Sequence, residues 1–218
     1  MLSGQTGRFV MAGPAGDLEV VCENPTTEPL GLAVIAHPHP LFGGTMDNKV
    51  VQTMARAALQ SGWRVVRFNF RGVGASAGIY ADQVGELADM QAVVEAFDGG
   101  GPLVLCGFSF GAAVASQVVA RAVRDGRRLD SVVLVGTAAS RCDVAEIPAE
   151  LHDKTLVVHG ELDDTVPLAS VLDWARPQCL PVTVVPGGEH FFHGRLPLLK
   201  HLVMRHLSAC VENNLRDV

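Results

Sequence analysis

The stretch Leu103-Val104-Leu105-Cys106-Gly107-Phe108-Ser109-Phe110-Gly111-Ala112-Ala113-Val114 decides how the rest of the chain is read. An apolar run of strand length meets Gly-Phe-Ser-Phe-Gly, and small residues suited to a close-packed helix follow. This is G-x-S-x-G between a strand and a helix, the setting in which the spacing forms a nucleophile elbow. Glycines at 107 and 111 let strand and helix approach closely. Ser109 is left at the tip of a turn too tight for relaxed backbone, and the N–H of Phe110 opens toward whatever the serine attacks.

Outward from the elbow, strands and helices alternate. Upstream, residues 7–23 read as an antiparallel edge hairpin around Gly13-Pro14-Ala15-Gly16-Asp17. Leu30 to Ala36 is a continuous apolar run, the mark of a strand buried on both faces. A helix follows over Lys49 to Gln60, with Asp47 or Asn48 able to cap it and Gly62 past its end. Trp63 to Phe70 is a strand, and Glu86 to Phe97 is helical with Leu87, Met90, Val93, Val94 and Phe97 at helix spacing. Downstream, the elbow helix runs to about Arg124. Leu129–Val135, Thr155–His159 and Val182–Val185 are strands, and Leu168–Ala175 is a helix. Pro197–Glu212 is the last helix, its inward side made of Leu198, Leu199, Leu202, Val203, Leu207 and Val211. The pattern implies one α/β domain over residues 1–218, with a mostly parallel twisted sheet and helices on both faces.

Composition agrees. The chain of 218 residues is long enough for one well-buried core and short for two. Hydrophobic residues make up 48% and charged residues 18%, with mean hydropathy +0.26. A net charge of −6 argues against a nucleic-acid or anionic-membrane surface as the main partner. The uncharged run Gly99–Ala120 is long enough to raise a membrane span, yet Pro102 and its glycines split it into strand, turn and helix. Residues 1–8 carry no apolar leader. Five scattered cysteines without C-x-x-C spacing read as reduced, buried thiols in a cytoplasmic protein.

Two further loops at strand ends carry reactive groups. Gly160-Glu161-Leu162-Asp163-Asp164-Thr165-Val166-Pro167 follows one strand, and Pro186-Gly187-Gly188-Glu189-His190-Phe191-Phe192-His193 follows the next. Open α/β sheets bind ligands at the carboxyl ends of their strands. The chain order is serine, aspartate, histidine, which is the order for this fold class. An imidazole must take the proton of a serine hydroxyl before that hydroxyl attacks, and a buried carboxylate fixes the imidazole tautomer. Asp163 and Asp164 are adjacent, and composition allows either as the acid. A third loop, His37-Pro38-His39-Pro40, leaves the strand beside the elbow strand, where a second oxyanion donor belongs. The prolines have no N–H, so past His37 only His39 can donate. The backbone N–H groups of His39 and Phe110 are thus expected to form the hole, with no metal and no cofactor. Arg71 is expected to anchor its glycine-rich loop, and Cys106 to be an inert buried thiol.

Taken together, Gly-Phe-Ser-Phe-Gly, Gly-Glu-Leu-Asp-Asp-Thr-Val-Pro and Gly-Glu-His-Phe-Phe resemble the α/β-hydrolase superfamily. The block His37–Val51, Phe-Asn-Phe-Arg-Gly-Val-Gly and His-Phe-Phe-His-Gly-Arg-Leu are similar to its small lidless bacterial serine hydrolases. The resemblance covers roughly residues 8–210. It implies Ser109 as nucleophile, Asp163 as acid and His190 as base, with Asp164 facing outward and free to cap the helix near Pro167. It implies a serine hydrolase acting on small carboxylic esters through an acyl-serine intermediate. Thioester or peptide cleavage on the same residues, or a non-catalytic binding role, are the alternatives. The connection between Val135 and Thr155 is too short for a cap domain, so an open cleft rimmed by Phe42, Phe108, Phe110 and Phe191 is expected.

Overall fold

The computed structural model describes residues 6–216. Strands β1 (Gly7–Gly13) and β2 (Gly16–Glu23) form the expected hairpin, followed by β3 (Leu32–Ala36), β4 (Arg64–Phe68), β5 (Leu103–Phe108), β6 (Ser131–Val135), β7 (Thr155–Gly160) and β8 (Val182–Val185). Helices are α1 (Lys49–Gln60), α2 (Val84–Phe97), α3 (Phe110–Arg124), α4 (Leu168–Ala175) and α5 (Leu196–Arg216). The sheet order is β1-β2-β4-β3-β5-β6-β7-β8. β1–β2 and β2–β4 are antiparallel, and every pairing from β4 through β8 is parallel.

The side-chain period of two along β5 divides the core. Leu103 and Leu105 face the layer of α2, α3 and α4, whereas Val104, Cys106 and Phe108 face α1 and α5. Val34, Leu134 and Val157 repeat the first face; Ile35, Val133 and Val158 repeat the second. With both faces covered, these strands have no polar side, which is why the sequence shows unbroken apolar runs there.

Three strands begin later than the sequence pattern suggests, at Leu32, Arg64 and Ser131. Leu30 nevertheless donates its N–H to Gly62 and Asp130 to Leu103, so the chain is anchored before the ladder starts. In α5 the stripe Leu199, Val203, Leu207 and Cys210 is buried. Leu198, expected inward, is 43% exposed because one residue rotates a helical side chain about 100°. The Val211 side chain lies outside the described residues, as do residues 1–5.

Register brings the carboxyl ends into one line. Ala36 pairs with Gly107, Phe108 with Val135, and Gly160 with Val185. The loops carrying His37, Ser109, Asp163 and His190 leave this edge together. Between β6 and β7 the chain forms only a short 3-10 helix, Ala149–Lys154, and no α-helical cap. No helix among the described residues is long and apolar enough to cross a membrane.

Candidate active site

Ser109 stands between β5 and α3 with φ 56° and ψ −116°. A left-handed φ on a residue with a side chain costs on the order of 1–3 kcal/mol and persists only where the surroundings impose it. Here they do. The Ser109 N–H donates to Val135 at 2.8 Å, and its carbonyl accepts from Ala112, Ala113 and Ala138. A Cβ on Gly107 would run into the backbone of Gly111, and one on Gly111 into the carbonyls of Ala36 and His37. The two glycines are therefore demanded by close approach, as the motif requires.

The hydroxyl that this turn presents lies 3.0 Å from Nε2 of His190, and Nδ1 of His190 lies 2.7 Å from Oδ2 of Asp163. All three residues are buried. Oδ1 of Asp163 accepts the N–H of Thr165 at 3.0 Å and of Val166 at 2.7 Å. Burial pushes the Asp163 carboxyl up, but the hydrogen bonds from His190 and the Val166 N–H outweigh it and hold it below the usual carboxylate range. An ionised Asp163 keeps a proton on Nδ1, which leaves Nε2 bare to accept from Ser109. A second imidazole, His159, comes within 3.3 Å of the same Oδ2. Nothing in the sequence marked it beyond its place as a polar residue ending an apolar strand.

Asp164 does not cap α4. Pro167 occupies the cap position without a side-chain bond, and Asp164 instead accepts from the Thr165 hydroxyl at 3.3 Å. A capping side chain must immediately precede its helix; Asp164 is three residues too early, and it lies on the wall of the cleft.

The His37 loop is pinned from inside. Burial lowers the His37 pKa to about 4, so the ring is neutral. Its Nδ1–H donates to the Pro38 carbonyl at 2.6 Å, and Nε2 accepts the Phe70 N–H at 3.0 Å. The His39 carbonyl then takes the N–H groups of Phe42 and Gly44. Nδ1 of His39 accepts the Leu41 N–H. His37 thus has both ring nitrogens committed within the protein. The backbone N–H groups of His39 and Phe110 have no acceptor among the described residues, and both residues line the cleft with Ser109 and His190. Arg71 anchors its loop as expected, donating to both oxygens of buried Asp89 at 2.7 and 2.9 Å.

The cleft encloses about 380 Å³. Phe42, 78% exposed, and Phe191, 42% exposed, stand on its rim. Phe108, expected beside them, is 0% exposed and lines no part of it. Strand alternation sends its ring to the α1/α5 face, beneath His190 at 5.0 Å between centroids. The Phe110 ring is likewise buried, edge-on to Phe70 and against His39, so it does not stand on the rim. Asn48, Arg141, Cys142 and Thr165 also line the wall; the sequence marked Asn48 only as a helix cap and gave no sign that any of the four faces the cleft. The cysteines are all free, but Cys142 is half-buried and Cys179 exposed, against the expectation that every thiol is buried. Cys106 is buried, its thiol pushed up to about 12.

The family model described as alpha/beta hydrolase fold matches residues 41–150. An alpha-beta serine hydrolase homologue from Coxiella burnetii superposes with a TM-score of 0.79 and 38% identity, over 93% of this chain and 98% of that one. An α/β serine hydrolase without lid from Xanthomonas campestris gives a TM-score of 0.81 and 33% identity, over 94% of each chain. An uncharacterized protein of Rickettsia prowazekii is 39% identical over 113 residues, which is 50% of this chain and 48% of that protein. The chain thus spans about half the length of that curated relative.

Proposed function

Because the chain belongs to the α/β-hydrolase family, as a small lidless member, we propose that it is a serine hydrolase cleaving carboxylic esters of small substrates. The observation that carries this reading is the continuous relay from Ser109 through His190 to Asp163, at 3.0 and 2.7 Å, opening on a cleft with two unused N–H donors.

In the proposed cycle the Ser109 oxygen attacks the ester carbonyl carbon while Nε2 of His190 takes its proton. Charge develops on the former carbonyl oxygen, and the N–H groups of His39 and Phe110 donate to it. Asp163 stabilises the imidazolium and keeps its ring in place. As the C–O bond breaks, His190 gives its proton to the departing alkoxide, leaving acyl-Ser109. Water then repeats the attack with its proton going to His190, and the acid leaves with Ser109 restored.

The open cleft between Phe42 and Phe191 suits short acyl groups, and nothing among the described residues covers it that would need to be displaced at an interface. Five free thiols support a reducing, cytoplasmic setting. The test is a series of p-nitrophenyl esters from acetyl to palmitoyl, with triglyceride emulsions beside them. Soluble short-chain esters should turn over fastest and Ser109→Ala should abolish turnover. Faster hydrolysis of long-chain emulsions would contradict the open-cleft reading, and turnover by Ser109→Ala would contradict the nucleophile.

A further inference from the structure

We propose that His159 is a positioning residue for this reaction: through its Nε2–H it holds the Asp163 carboxylate where His190 requires it. The inference rests on the serine-hydrolase reading.

His159 is the penultimate residue of β7 and has no exposed surface. Its Nε2 lies 2.9 Å from the Val166 carbonyl and 3.3 Å from Oδ2 of Asp163. A carbonyl only accepts, so the proton is on Nε2, aimed at Val166 with the carboxylate oxygen beside it. Val166 is clasped on both sides, since its N–H donates to Oδ1 of Asp163 at 2.7 Å. The carboxylate is thereby fixed at both oxygens. Oδ1 is held by the backbone of the loop that His159 ties down, and Oδ2 lies between two ring nitrogens, His190 at 2.7 Å and His159 at 3.3 Å.

This arrangement carries a cost. With the proton on Nε2, Nδ1 of His159 is a bare acceptor, buried and without a hydrogen-bond partner among the described residues. A buried polar atom left unsatisfied is destabilising. The preceding strand residues Leu156, Val157 and Val158 are apolar, and another apolar side chain would avoid that cost. Only an N–H at the Nε2 position supplies the bridge between carbonyl and carboxylate. Burial also lowers the pKa of His159, so the ring stays neutral. A neutral N–H steadies Asp163 without competing as a second cation for the charge that His190 must feel.

The test compares His159→Leu with His159→Gln, whose side-chain amide nitrogen can reach the place of Nε2. His159→Asn reaches only the place of Nδ1, and it replaces the leucine variant if that one does not fold. Each variant is titrated for active sites with a fluorophosphonate, assayed on p-nitrophenyl butyrate, and examined for the downfield proton resonance of the His190–Asp163 hydrogen bond. The leucine variant should lose about tenfold to a hundredfold in kcat, the range known for removing the hydrogen-bond partner behind a metal-ligating side chain, with KM within about twofold, and its resonance should shift or vanish. The glutamine variant should restore both. Wild-type kcat per active site in folded His159→Leu, or a glutamine variant as slow as the leucine one, would overturn the proposal. If the wild type hydrolyses no ester while the resonance still responds to Leu and Gln as stated, the hydrolase reading fails and the positioning of Asp163 stands.

Discussion

A Cβ placed on Gly111 would stand 2.5 Å from the carbonyl oxygen of His37, so helix α3 and the loop carrying the His39 N–H meet backbone to backbone. One proposed oxyanion donor, Phe110, precedes Gly111, and the other follows His37 by two residues. Gly111→Ala must therefore push the two donors apart. A fall in kcat on the order of 10²–10³, the cost of one lost donor, is expected in a protein that still folds. Steady-state rates with circular dichroism on the same sample check it.

The His39 donor is backbone, and the residue has φ −53° and ψ 124°, a conformation proline adopts without strain. His39→Pro therefore removes the N–H and the ring, whereas His39→Ala removes only the ring packed against Phe42, Tyr80 and Phe110. The proline variant should be slower than the alanine variant by roughly 10²–10³ in kcat. Equal rates would place the hole elsewhere.

Asp163 and Asp164 separate by function. Asp163→Asn puts an amide opposite Nδ1 of His190, favouring the wrong tautomer, and should cost about 10⁴ in kcat with the fold intact. Asp164→Asn removes a charge but keeps an Oδ1 able to accept from the Thr165 hydroxyl. It should keep its activity within a small factor and, with no cap to lose, its melting temperature. Rates and thermal melts of the pair test both halves.

How far the sequence carried these assignments depends on how local each signal is. Helix α1 is legible to the residue because the Asn48 carboxamide accepts the Val50 N–H and Gly62 lies just past the end. Ser109 and His190 are legible because each occupies a loop at a strand end, whereas Asp163 is told from its neighbour Asp164 only by the resemblance to the family pattern. Phe108 is misread because adjacency to Ser109 in sequence suggests adjacency in the cleft, and the strand period sends its ring to the opposite face. Asp164 is misread although α4 begins at Leu168 as expected, because a cap must sit next to its helix and Pro167 holds that place. His159, Arg141 and Thr165 owe their places to register and loop path, which depend on contacts between distant segments.

Buried neutral histidine makes the fold sensitive to acid. His37 has its pKa lowered from the ordinary 6.5 to about 4 by burial. Between those values the unfolded chain binds more protons than the folded one, so stability falls as pH drops through this window. The loss from His37 alone should reach on the order of 3 kcal/mol near pH 4. His37→Gln can still accept the Phe70 N–H through its amide oxygen and does not titrate. Its urea midpoint should decline less than that of the wild type between about pH 7 and about pH 4.5.

The central claim is that Ser109 is made nucleophilic by His190 and Asp163, and reaction with a fluorophosphonate followed by intact-protein mass spectrometry tests it most directly. The account predicts a single adduct on Ser109, formed quickly in the wild type, slowly in Asp163→Asn and not at all in Ser109→Ala. No adduct on the wild type, or one that persists in Ser109→Ala, would contradict it.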